Sequence, residues 1–97
     1  MQSQDLVANL EQLDDHQIIC VKQPWTSGAE AQLTEPDERL AVPAEVKAAG
    51  FVYFLEVHAA KEVIGIFGER LASLDERVRL LIEYAQNDAY PEWIYQR

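Results

Sequence analysis

The sequence is poor in the groups on which most enzymes and metal proteins depend. It has one cysteine, Cys20, and two histidines, His16 and His58, among 97 residues. A single cysteine excludes a disulfide within the chain, and no segment carries a GxSxG, HExxH, P-loop or GxGxxG motif. Cys20 lies among apolar neighbours, where a buried thiol has a raised pKa and reacts slowly. The sequence therefore predicts no enzyme activity and no bound cofactor or metal.

Long apolar runs and basic residues are also scarce. No apolar run approaches the ~20 residues of a membrane-spanning helix, and the first residues, MQSQDLVANLEQLDD, lack the basic segment of a signal peptide. The Lys and Arg residues number 8 against 17 Asp and Glu, a net charge of -9. This charge repels phosphate backbones and anionic membranes and attracts basic proteins. We therefore expect a cytoplasmic protein that binds neither nucleic acid nor membrane.

The residues that are present indicate one globular domain covering 1–97. Hydrophobic residues make up 48% of the chain, which is typical of a folded protein and too high for a disordered one. The periodicity predicts an antiparallel hairpin of two strands, a third strand and three amphipathic helices. These elements are expected at 16–22 and 29–34 for the hairpin, at 51–57 for the third strand, and at 4–14, 58–67 and 73–87 for the helices. Pro43 and Gly50 bracket a further short helix.

Two of the predicted strands, 16–22 and 51–57, are apolar on both faces, so we expect interior strands with helices on each side. The predicted fold class is α+β, with a small, mostly antiparallel sheet of three to four strands and helices packed on both faces. The element order is α-β-β-(α)-β-α-α. A fourth strand would come from residues 39–42 or from the tail at 93–96.

The closing stretch, NDAYPEWIYQR, concentrates aromatic residues where chain ends are usually polar. Leu80 and Tyr84 form a second apolar strip on the last helix, and Trp93 and Tyr95 can fold back to cover it. In the other interpretation these side chains stay open as a contact surface for a protein partner or for a second copy in a homodimer, because Trp and Tyr dominate interface hot spots. All four residues are therefore candidate partner-binding residues.

Two loops offer further candidates for binding. Trp25 lies in the turn QPWTSG, where a loop aromatic can line a pocket for a small ligand or a partner, or can cover the core as a lid. Asp37 and Glu38 belong to the charge run EPDERL, which is either a solvated loop or an electrostatic contact for a basic partner.

One cluster could carry chemistry, at the end of the third strand. Glu56 and His58 lie two residues apart there, and His58 and Glu62 are four apart on the following helix. Carboxylates beside an imidazole can bind a metal or hold a general base. Zinc sites usually take three or four protein ligands with more His or Cys than this. An ordinary exposed His–Glu pair is the simpler interpretation.

The function that the sequence favours is a non-enzymatic acidic protein-interaction domain, of the immunity type or another inhibitor of a basic protein. Small acidic bacterial proteins that neutralise basic toxins are similar in size and charge. This similarity is one of composition, and no sequence motif supports it. The alternatives are a small-molecule-binding module that uses the Trp25 loop and a structural domain of unknown role.

Overall fold

A computed structural model of the chain describes residues 1–68 and 72–96. It confirms the α+β class, with a three-stranded antiparallel sheet in the order β2-β1-β3. The strands are β1 (Ile18–Val21), β2 (Ala31–Thr34) and β3 (Val52–Glu56), and the helices are α1 (Ser3–Ala8), α2 (Ala44–Ala48), α3 (Val57–Ile64) and α4 (Leu74–Asn87). Short 3₁₀ turns follow at Leu10–Gln12, Gly65–Phe67 and Glu92–Gln96.

The predicted hairpin and the central position of its first strand are confirmed. β1 pairs with β2 so that Ile18 lies opposite Thr34 and Val21 opposite Ala31. All four residues of β1 are buried, because the strand lies between β2 and β3 and has apolar side chains on both faces.

The prediction that the third strand is interior is wrong. β3 lies at the edge of the sheet, and its pairing with β1 shifts register so that Leu55 opposes Ile19 while Tyr53 opposes Cys20. Phe54 is the extra residue of this bulge, and both Phe54 and Leu55 enter the main core. Val52 and Tyr53 stay exposed at 38% and 46%. A strict alternation of faces could not anticipate the bulge.

The sheet separates two apolar layers. On one face, α1, α3 and α4 pack together over Ile19 and Val21 to form the main core. On the other face, Ile18 and Cys20 form a smaller cluster with three residues from α2 and its flanking loops: Val42, Val46 and Phe51. The expected helical cover on both faces is therefore present, although α2 is only five residues long.

The first helix is shorter than predicted, and Ser3, although serine often caps helices, is not its cap. The Ser3 hydroxyl is buried and donates hydrogen bonds to the carbonyls of Thr26 and Ser27, which fasten α1 to the hairpin loop. Gln2 caps the helix instead, and its backbone N–H donates to the Asp5 carboxylate at 3.2 Å. The helix ends at Ala8, and the remainder of the predicted range becomes a 3₁₀ turn and a loop.

The later helices follow the sequence signals closely. Ser73 and Glu76 form a capping box at the start of α4, where the last helix was predicted to begin. Gly68, with a φ of 59°, ends the turn after α3, and Gly50, with a φ of 94°, follows α2. Pro43 precedes α2 as its N-cap residue. Neither suggested source of a fourth strand forms one, because 39–42 is a loop and the tail is a 3₁₀ turn.

Candidate functional site

The aromatic tail folds back onto its own domain. Ile94 is buried in the main core, and Trp93 is half-buried against α4. The Trp93 indole donates to Glu83 Oε2 at 2.7 Å, and the Arg79 guanidinium carbon lies 4.3 Å from the centre of the Trp93 ring. Tyr90 meets Tyr84 edge-on, with ring centres 5.2 Å apart. The tail therefore packs against α4 and contacts Tyr84, one of the two residues of the second apolar strip.

This packing leaves the four candidates of the last helix and tail in different environments. Leu80 is 0% exposed and offers no surface to a partner. Tyr84 and Trp93 are half-buried and already have neighbours within the chain. Tyr95 is 70% exposed, so among the four it alone projects freely into solvent.

Trp25 acts as a lid on the core in this structure. Its indole donates to the Val21 carbonyl at 3.0 Å, and its ring packs edge-on against Phe54 with centres 5.0 Å apart. A shallow recess remains beside it, lined by Gln23, Pro24, Trp25 and Gln86. The same side chain thus covers the core and forms one wall of a surface depression.

The cluster of Glu56, His58 and Glu62 is divided between two places. His58 Nε2 lies 3.1 Å from Glu62 Oε1, and both side chains are well exposed. Glu56 instead lines a recess that it shares with His16. Across the described ranges, no three His, Cys, Asp or Glu side chains are arranged to hold a metal ion. Of the three residues, the structure therefore brings only His58 and Glu62 together, as an exposed pair.

A lysine ties the loop before β1 to α3, close to both histidines. Lys61 Nζ lies 2.6 Å from Asp15 Oδ1 and donates to the Leu13 carbonyl at 2.9 Å. The hydrogen bond from Lys61, followed by its positive charge, lowers the pKa of Asp15, with smaller contributions from the two histidines. Cys20 is fully buried, and burial raises the pKa of its thiol, as expected for an unreactive cysteine.

The loop from Glu35 to Leu40 is the most unusual surface feature. The Asp37 carboxylate accepts hydrogen bonds from the backbone N–H groups of Arg39 and Ala41 at 2.8 and 2.9 Å, and the Asp37 N–H donates to the Ala41 carbonyl. These bonds hold Leu40 at a φ of 61°, in the left-handed region that a branched residue rarely adopts. Leu40 is 82% exposed, the highest value among the exposed large hydrophobics.

Two recesses flank this loop. An open groove of about 710 Å³ lies between the loop, the end of β2 and the start of α2, and four carboxylates line it: Glu35, Asp37, Glu38 and Glu45. A smaller and more enclosed recess of about 220 Å³ is lined by His16, Ile18, Pro36, Leu40 and Glu56. We call the loop, the two recesses and the five carboxylates that line them the acidic corner; these carboxylates are Glu35, Asp37, Glu38, Glu45 and Glu56.

Asp37 and Glu38, predicted from the charge run, lie in this acidic corner. Sequence reasoning missed Leu40, Glu45 and the role of Glu56 in the same surface. The charge run EPDERL was the sequence feature that pointed to this loop. No local pattern showed that α2 and the end of β3 would border it, because these segments are distant in sequence.

The comparisons with known proteins give no assignment. No protein-family model matches the chain, and neither the curated proteins nor the solved structures contain a match. Among the described residues, no helix has both the length and the apolar character needed to cross a membrane.

Proposed function

We propose that this chain is a non-enzymatic interaction domain that binds a basic protein through the acidic corner, as an inhibitor of the immunity type would. The acidic groove carries the proposal, because it gathers Glu35, Asp37, Glu38 and Glu45 around one depression. Arg39 belongs to the same loop but does not line the groove, and the described residues that do line it include no Lys or Arg, so negative charge dominates this depression. Such a surface accelerates the encounter with a basic partner and repels acidic ones.

The proposal also explains why the surface charge is not balanced internally. Three ion pairs between carboxylates and Lys or Arg are present in the described part of the chain: Lys22–Glu30, Lys61–Asp15 and Arg79–Glu83. None of them uses a groove carboxylate. Glu35 contacts His16 Nε2 at 3.1 Å, an exposed pair that leaves the carboxylate accessible to a partner. We place this interaction in the cytoplasm, where the single cysteine would remain reduced.

The test first isolates a basic partner from a native lysate at low salt. It then measures how charge reversal in this chain changes the rate of association with that partner. The site variant is Glu38→Lys/Glu45→Lys, which spares the turn that Asp37 holds. The matched control is Glu11→Lys/Glu92→Lys, the same charge change on exposed residues outside the groove. We expect the site variant to slow association about tenfold at low salt and the control to retain most of the wild-type rate.

The salt dependence supplies the second readout. Association of the wild-type chain should slow as ionic strength rises, and the site variant should respond less. Equal losses in the two double variants would mean that only net charge matters, and the acidic corner would then have no specific role. Partners that are acidic or neutral would also contradict the proposal.

A small-molecule-binding module at Trp25 is the second candidate. The recess beside Trp25, with Gln23 and Gln86 on its wall, supports it. A ligand that binds only the native state raises the melting temperature. A thermal-shift screen against small metabolites should therefore find a stabilising compound, whose effect Gln86→Ala weakens. A screen without any stabilising compound would count against this candidate.

A further inference from the structure

We propose that the small recess between Leu40 and Glu56 receives one arginine side chain of the basic partner. This inference rests on the proposed function and names the group by which the partner would be recognised. The recess has a buried apolar floor, Ile18, and two apolar walls, Pro36 and Leu40. His16 and Glu56 supply the polar part of its lining.

The size of the recess suits a single side chain. Its volume of about 220 Å³ lies below the ~300–1,000 Å³ of pockets that enclose drug-sized ligands. An arginine has a three-carbon stem that prefers apolar contact and a charged head that prefers carboxylates. The recess offers both kinds of surface side by side, since Leu40 and Pro36 stand beside Glu56.

The charges around the recess favour a cation. Glu56 is exposed and makes no ion pair with any residue in the described ranges. Glu35 Oε2 lies 3.1 Å from Nε2 of His16, which lines the recess, and Glu35 Oε1 accepts a hydrogen bond from Gln17 at 3.4 Å, so its carboxylate lies beside the recess. A guanidinium ion fits this setting better than an ammonium ion, because it is planar, less strongly hydrated and able to bind a carboxylate with two N–H groups.

The conformation of Leu40 is explained by the same proposal. A leucine at positive φ is strained, and a glycine would fit the turn without strain. Folding alone gives no reason for an apolar side chain at this position, because Leu40 stays 82% exposed. In the complex, Leu40 would cover the alkyl stem of the arginine and lose its contact with water.

The experiment is an NMR titration of the full chain with N-acetyl-arginine-amide. The lysine and citrulline amides serve as comparisons, citrulline being the neutral analogue of arginine. We expect saturable shifts of the Ile18 and Leu40 methyl signals with the arginine compound, several-fold weaker binding of the lysine compound and no saturation with citrulline. Equal responses to arginine and citrulline, or no response of these methyl groups to arginine, would overturn the inference.

Two variants sharpen the titration. Glu56→Gln should raise the dissociation constant of the arginine compound about threefold, as for an exposed ion pair, whereas Glu11→Gln should leave it unchanged. Leu40→Gly should raise the urea midpoint, because strain is released, and should weaken arginine binding. A Leu40→Gly protein that is more stable but binds arginine as wild type does would contradict the role of Leu40.

The failure of this inference can be told apart from the failure of the proposed function. If arginine amide binds the recess but no basic protein depends on the acidic corner, the inference holds and the proposed function fails. If the groove variants lose a basic partner while arginine amide leaves the Ile18 and Leu40 signals unmoved, the proposed function holds and the inference fails.

Discussion

The aromatic tail and the acidic corner both place apolar and charged side chains near the surface, but those side chains end in opposite environments. In the tail, the Trp93 indole donates to Glu83 and its ring lies under Arg79, while Ile94 enters the core. In the acidic corner, Leu40 projects into solvent and Glu56 has no ion pair among the described residues. The tail therefore contributes mainly to folding, and the acidic corner has surface available for a partner.

This difference shows which surface features the fold itself uses and which it leaves open. Aromatic residues attract attention in a sequence because they dominate interface hot spots, yet here most of them have neighbours within the chain. The exposed leucine and the carboxylates beside it are ordinary in a sequence. They become informative once the fold holds them in a hydrogen-bonded turn between two recesses.

The largest expected effect separates two leucines. Leu80→Ala should destabilise the protein by about 3 kcal/mol, because it opens a cavity in a fully buried site. Leu40→Ala should change the free energy of unfolding by less than about 0.5 kcal/mol, because the side chain is in water. Urea denaturation of both variants measures the contrast. Similar losses in the two variants would mean that the acidic corner is as firmly packed as the core.

The next effect concerns the tail as a whole. Removing residues 91–97 should cost about 2 kcal/mol, since the burial of Ile94 and Trp93 is lost while some chain entropy is regained. Thermal and urea unfolding report this loss. If the truncated chain keeps the wild-type midpoint and merely stops binding or self-associating, the tail is a contact surface. The tail would then serve a partner and contribute little to folding.

The smallest effect is electrostatic and lies near the acidic corner. Lys61 lowers the pKa of Asp15, so this pair stabilises the folded state above the pKa of Asp15 in the unfolded chain, and the contribution is lost as pH falls through the lowered folded-state value. In Lys61→Gln, the Asp15 pKa measured by NMR should rise toward the ordinary value of an aspartate.

The control for this prediction is Lys47→Gln, the same loss of charge on the exposed surface of α2. It should leave the Asp15 pKa close to that of the wild-type chain, because the Lys61 ammonium remains in place. An unchanged Asp15 pKa in Lys61→Gln would show that this ion pair does not persist in solution. The loop before β1, which leads to His16 of the acidic corner, would then not be held to α3 by this pair.

Elements whose causes are local follow from neighbouring residues in the sequence. The capping box at Ser73 and Glu76 set the start of α4, glycines at positive φ followed α2 and the turn after α3, and apolar periodicity marked where the three strands lie. These outcomes depend on neighbouring residues and on periodicity, so they can be read without knowledge of the fold.

Other features depend on partners that are distant in the chain, so they are set only when the chain folds. The bulge at Phe54 came from pairing with β1, the buried state of Leu80 from its place in the main core, and the recess from the meeting of Ile18, Leu40 and Glu56. Each of these outcomes is set by the space and the hydrogen-bonding partners that other segments leave. The candidate site could therefore be predicted only as far as its charged loop.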